Sequence, residues 1–228
     1  MLKPYYESKG KSTQTIYQGD CLEVMKEFPD KSFDLVLTDP PYGDGIGYGR
    51  FDKKIANNED ESINYKAIPE MYRVLKEGGV LYLFTNWRFS GRIQAFLGEF
   101  GLFYVRTQLV IVKNNISMGY GFRNQYELCL VLERGKHKYE NADFSNVQKM
   151  EHIEHSPDSH PHEKGVELLK RMISHIQPCE SILDPFLGSG TTLIAAKHLN
   201  CNAVGIEISE SYCEIAKQRL ETTPTPMF

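Results

Sequence analysis

A chain of 228 residues, 41% of them hydrophobic and 25% charged, has the composition of an ordinary globular domain and buries about 70% of its unfolded surface at this size, which excludes disordered and fibrous classes. The formal net charge of −4 excludes a general, histone-like affinity for polyanions, so any basic surface must be local. No apolar run reaches the roughly 18 residues of a membrane helix, and the start lacks the apolar middle of a secretion signal. No membrane contact and a cytoplasmic location are therefore expected. The five cysteines, Cys21, Cys129, Cys179, Cys201 and Cys213, are scattered without a CxxC pair and read as reduced, buried thiols.

In chain order, the pattern predicts strands over 15–18, 33–38, 80–85, 103–112, 127–132, 181–184 and 203–208. Helices are predicted from Leu22 onward and over 62–76, 163–177, 191–199 and 209–220. Short apolar runs alternating with amphipathic segments give an α/β class with a doubly wound, mostly parallel, Rossmann-like sheet in a single domain over 1–228. Two segments, 43–60 and 135–161, read as loops, and long loops in a compact domain are where substrate contacts are expected.

The run Asp184-Pro185-Phe186-Leu187-Gly188-Ser189-Gly190-Thr191-Thr192 joins a strand to a helix start. Its backbone N–H groups are free to face a ligand, and the two glycines let that ligand approach closely. The Gly-Lys-Ser/Thr of a phosphate loop is absent, and Leu193 stands where a dinucleotide fingerprint has its third glycine. Glu207, at the end of the next strand, is at the distance where an acidic side chain takes both hydroxyls of a ribose, with Ile208 beside it. A nucleoside fits this better than a dinucleotide, although Glu207 taken alone also reads as a solvated strand end. Asp184 can receive the ammonium of a methionine moiety, which points to S-adenosylmethionine as cofactor.

A second buried strand ends in Asp39-Pro40-Pro41-Tyr42. Two prolines fix backbone angles and remove N–H donors, leaving carbonyl oxygens free to accept. The amine of a nucleobase is a poor nucleophile because its lone pair is delocalised into the ring. Asp39 and the Pro40 carbonyl can hold its hydrogens and turn the lone pair outward, while Tyr42 offers a flat face to an extruded base. A plain strand-ending turn capped by its aspartate is the alternative for this tetrapeptide in isolation.

Together these stretches resemble the amino-methyltransferases of DNA, in the permuted beta group whose catalytic motif precedes the cofactor motif. Further residues carry the resemblance. Gln18-Gly19-Asp20-Cys21-Leu22-Glu23 is similar to the family's adenine-edge motif, and Leu75-Lys76-Glu77-Gly78-Gly79 to its lysine-proline-glycine-glycine turn. His160-Pro161-His162-Glu163-Lys164-Gly165 resembles an element holding the methionine end of the cofactor, with Gly165 where the family carries proline. The resemblance implies a methyltransferase fold of the S-adenosylmethionine-dependent type. It makes Asp39, Pro40, Pro41 and Tyr42 catalytic, and adds Asp20, Cys21, Asp39, His160 and Lys164 to the cofactor contacts. Asp20 also has a simpler role available as an N-cap.

The expected partner is double-stranded DNA and the expected acceptor the N6 amine of adenine, since aspartate at the first motif position leans toward adenine and serine toward cytosine. Cytosine N4, an RNA base, a protein amide and an inactive cofactor-binding subunit are the alternatives. Between Arg88 and Lys138, eight Lys/Arg face three Glu, a local basic excess that reads as a phosphate-facing surface or as a solvated face. Arg123, within the amide- and aromatic-rich stretch 114–125, and Lys136 are expected substrate contacts alongside Tyr42. The segment 135–160 reads as the target-recognition segment; it is short for the family, which implies a short target or a homodimer that shares the reading. His152, His155, His160 and His162 lack a Cys pair or an HExxH spacing, so no metal is expected.

Overall fold

The computed structural model describes residues 2–41, 62–117, 120–139, 143–150 and 165–224. Its elements are β1 (Tyr6–Glu7), β2 (Gln14–Gln18), α1 (Cys21–Lys26), β3 (Phe33–Thr38), α2 (Ser62–Val74), β4 (Leu75–Thr85), α3 (Trp87–Phe100), β5 (Tyr104–Val112), β6 (Tyr126–Glu133), β7 (Val147–Lys149), α4 (Val166–Ser174), β8 (Ser181–Asp184), α5 (Thr191–His198), β9 (Asn202–Glu207) and α6 (Glu210–Thr222). All nine strands join one sheet in the order β1-β2-β9-β8-β3-β4-β6-β5-β7.

The five strands from β2 to β4 run parallel, and β6 is antiparallel to both β4 and β5. Because a central strand is covered on both faces, β4 reads as continuous apolar sequence from Val80 to Phe84. Val80, Tyr82 and Phe84 enter the core under α4, α5 and α6, while Leu81 and Leu83 enter the core under α1, α2 and α3. This is the expected doubly wound α/β arrangement.

After β3 the chain crosses to one face with α2, and after β8 to the other with α5. The neighbouring carboxyl ends of β3 and β8 therefore flank a topological switch point, where open α/β sheets hold their ligands. On the outer side of the sheet, the Tyr5 hydroxyl donates to Glu214 Oε2 at 3.0 Å, tying the start of the chain to α6.

Three differences from the expected elements have physical causes. Helix α3 lies in sequence read above only as a basic stretch. Its signals are an Asn86 N-cap accepting from the Arg88 and Phe89 amides, Ile93 and Leu97 on its buried face, and Gly101 in the left-handed region at its end. Strand β4 starts five residues early, because Leu75 already pairs with Phe33 before a bulge restores register at Leu35 and Val80. Strand β7 lies inside the segment read as a loop and, at three residues, is too short to show a periodicity.

Candidate active site

Asp184 closes β8 and is 3% exposed. The Thr38 hydroxyl donates to its Oδ1 at 2.8 Å, the Phe186 amide to the same oxygen at 3.1 Å, and the Thr192 hydroxyl to Oδ2 at 2.6 Å. Burial nevertheless dominates and, with Asp39 nearby adding repulsion, pushes the carboxyl up to about 6 against the three donors. At the opposite edge of the sheet, Asp34 shows the reverse balance. Burial raises it too, but bonds from Lys76, Ser181 and the Glu180 amide outweigh burial and leave it below its ordinary value.

Glu207 closes β9 and holds the turn from its other side. The Gly188 amide donates to its Oε2 at 2.9 Å and the Ser209 amide to its Oε1 at 2.8 Å, while burial pushes its carboxyl up. Arg219, reaching from α6, donates to the Ser189 carbonyl at 2.7 Å and hydroxyl at 2.8 Å. The turn is thus pinned at Gly188 and Ser189 before any ligand arrives, with the exposed Ile208 at its rim. Asp20 is the N-cap of α1, accepting from the Leu22 amide at 2.8 Å, and the preceding Gly19 amide donates to the Glu207 carbonyl. The Cys21 side chain packs in the core with Val24 and Met25, and burial pushes its thiol up to about 12.

The two glycines of the turn differ. A Cβ at Gly188 would meet nothing within 4 Å, so this position leaves room for a ligand. A Cβ at Gly190 would lie 2.8 Å from the Ala216 Cβ, so the missing side chain there also admits helix α6. Both have positive φ, 55° and 87°. Gly188→Ala should therefore cost only the left-handed conformation, about 1–2 kcal/mol. Gly190→Ala adds overpacking and should cost about 2–5 kcal/mol in total, a difference that urea unfolding of the two variants measures.

At the end of β3, Asp39 is half-buried and Pro40 buried. The Asn64 side chain, from the first turn of α2, donates its Nδ2 to the Pro41 carbonyl at 3.0 Å. Asp39 and Asp184 thus follow adjacent strands within electrostatic reach of each other. Tyr42, His160 and Lys164 lie outside the described residues. Sequence reading missed Thr38, Asn64 and Arg219; only Thr38, a hydroxyl at the end of the same buried strand, carried a signal.

The expected DNA contacts separate. The hairpin joining β5 to β6 rises from the same carboxyl edge as Asp39, since Val112 pairs with Tyr126 and Thr85 with Leu128. It carries Arg123 with fully exposed Tyr120 and Phe122. Lys136 follows β6 at the amino edge, beyond Glu133 opposite Val80, and the six residues from Val80 to Thr85 span about 17 Å. Of the other basic residues, Arg134 donates to the carbonyls of Tyr72, Arg73 and Leu75 at the end of α2, and Arg106 lies 3.9 Å from the buried carboxylate of Glu133. Trp87, 55% exposed just past β4, joins the carboxyl edge.

A cavity of about 390 Å³ lined by Cys179, Glu180, Cys201 and Asn202 precedes β8 and β9 and so opens at the edge away from Asp39. Among the described residues, no group of three or more His, Cys, Asp or Glu could hold a metal ion, and no helix is long and apolar enough to cross a membrane.

Comparison with known proteins agrees with this geometry. Residues 33–218 match the family model of N6/N4 methyltransferases, described as DNA methylase. YubD of Escherichia coli (strain K12) is 33% identical over 92% of this chain and 91% of its own length. The type II methyltransferase M.HpaI of Haemophilus parainfluenzae is 27% identical over 92% of this chain and 74% of its own length. The crystal structure of M1.HpyAVI in complex with S-adenosylmethionine superposes with a TM-score of 0.68 at 28% identity, over 91% of this chain and 99% of that one. The chain belongs to the N6/N4 family of DNA methylases and is a DNA amino-methyltransferase that uses S-adenosylmethionine.

Proposed function

We propose that this methyltransferase acts on the N6 amine of adenine in duplex DNA, at the corner Asp39-Pro40-Pro41-Tyr42. The observation that carries the reading is the position of Asp39, Pro40 and Pro41 beside the turn that follows Asp184 and is clamped by Glu207, across the switch point between β3 and β8. Aspartate at the first position of the corner supports adenine over cytosine through the family resemblance.

The residues present fit the cofactor. Gly188 leaves open space, Glu207 stands clamped at the rim to take ribose hydroxyls, and Asp184 offers a carboxylate toward a cationic ammonium. Asp20, Cys21 and Ile208 border the nucleoside end, with His160 and Lys164 assigned to the methionine end. When bound, S-adenosylmethionine supplies a methyl group on a sulfonium. Asp39 and the Pro40 carbonyl accept the two amine hydrogens and direct the nitrogen lone pair, and Tyr42 supports the extruded base. The nitrogen sheds one proton on methylation, and the Asp39 carboxylate that already holds it takes or relays that proton.

Arg123 and the exposed aromatics of the β5–β6 hairpin meet the DNA from the carboxyl edge. Lys136, at the amino edge, is left as a contact only for a segment of duplex that wraps the sheet. The stretch 135–160 remains the assigned recognition segment within one methyltransferase domain. Hydrolysing DNA methylated by the purified chain tests the reading: N6-methyladenine is the expected product, and N4-methylcytosine alone would refute it.

A pH dependence follows from Asp184. Its carboxyl sits at about 6 in the folded chain against an ordinary 3.8. A cationic ammonium needs the ionised form, so affinity for S-adenosylmethionine should fall by about tenfold between pH 7 and pH 5. The effect does not come from unfolding. A raised carboxyl contributes stability that is fully present below 3.8 and is lost as pH rises through about 6, so acidification over this window favours the fold at this group. Calorimetric titration across the window should show the loss in the wild type and a clearly smaller loss in Asp184→Asn, where only the buried Glu207 carboxyl, also raised, is left to titrate.

A further inference from the structure

Asn64 is 4% exposed and lies in the first turn of α2. Its Nδ2 donates to the Pro41 carbonyl at 3.0 Å, whereas its Oδ1 is buried with no hydrogen-bond partner among the described residues. A carbonyl oxygen only accepts, so the amide nitrogen must face Pro41 and the orientation of the side chain is settled. The arrangement is costly, because a buried amide oxygen left unpaired forfeits its bonds to water. An apolar side chain of similar size would pack in this position without that penalty. Stability alone would therefore favour leucine.

The corner explains what the amide does. Pro40 and Pro41 have no N–H and cannot close a turn with their own backbone donors, and their rings fix φ. One soft rotation, ψ, remains at each. The Asn64 bond fixes that rotation at Pro41, and so limits how the peptide carrying the neighbouring acceptors can tilt. We propose that Asn64 is a positioning residue for methyl transfer: it orients the proline corner so that Asp39 and the Pro40 carbonyl meet the acceptor amine at the angle that directs its lone pair. The proposal rests on the reading of this corner as the reaction centre.

Two variants separate positioning from structure. Asn64→Leu removes the amide together with its unpaired oxygen, and Asn64→Asp keeps the shape but cannot donate when ionised. With DNA and S-adenosylmethionine both saturating, the kcat of each should fall by about tenfold or more, the scale of a misplaced acceptor. Affinity for S-adenosylmethionine should stay within about twofold of wild type, because the lost bond orients the acceptor side only. The melting temperature of Asn64→Leu should equal or exceed that of the wild type. Near-wild-type kcat in both variants would overturn the proposal. So would a loss of activity accompanied by an equal loss of thermal stability and cofactor affinity, which is the signature of a structural role. Asp39→Ala is assayed alongside. Wild-type turnover in that variant would remove the corner as reaction centre and the proposal with it; its collapse beside fully active Asn64 variants would remove the proposal alone.

Discussion

Asp39→Ala is expected to lower methyl transfer to DNA by at least about a hundredfold, the scale on which misplacing a reacting group acts, while leaving affinity for S-adenosylmethionine near that of the wild type. The carboxylate follows β3, on the acceptor side of the switch point, whereas the turn proposed to hold the cofactor is pinned by Glu207 and Arg219. Removing Asp39 also removes a repulsive charge beside Asp184. The Asp184 carboxyl should then titrate at lower pH, and cofactor affinity at pH 6 should hold steady or rise. Single-turnover transfer measured with calorimetric affinity separates the two effects. Near-wild-type transfer by Asp39→Ala would show that the corner does not orient the amine.

The second large effect is expected at Glu207. Its carboxylate accepts from the amides of Gly188 and Ser209, so Glu207→Ala removes both the ribose acceptor and the clamp that shapes the turn. Each lost bond to a charged group is worth about 1–3 kcal/mol. Cofactor affinity should fall by about ten- to a hundredfold on that basis. Glu207→Gln keeps one carbonyl acceptor and should lose less. Equal, undiminished affinity in both variants would take Glu207 out of the binding site.

The strands that build the site were legible because β3 and β8 are short, largely buried runs with apolar centres, each running into Asp-Pro, so pattern and punctuation agree. The doubly wound order followed from the alternation of strands and helices. What holds Asp184 was not legible: Thr38 and Thr192 become its donors only once β3 lies beside β8, and no spacing in the sequence announces strand order. Lys136 shows the same gap. It stands 13 residues after Arg123, but β6 carries the chain across the whole sheet between them. The second role of Gly190, making room for Ala216 of α6, was not legible either, because motif position does not reveal what packs against it. Asn64 gave no sign at all, since a lone asparagine in a helix start usually reads as polar surface.

The measurement that bears most directly on the central claim is a crystal structure of this chain with S-adenosylmethionine bound. The expected result is the ribose on Glu207, the methionine ammonium toward Asp184, and the methyl group facing the Asp39-Pro40 corner across the carboxyl ends of β3 and β8. Cofactor density at the opposite edge, in the cavity lined by Cys179 and Cys201, or a methyl group turned away from Asp39, would contradict it.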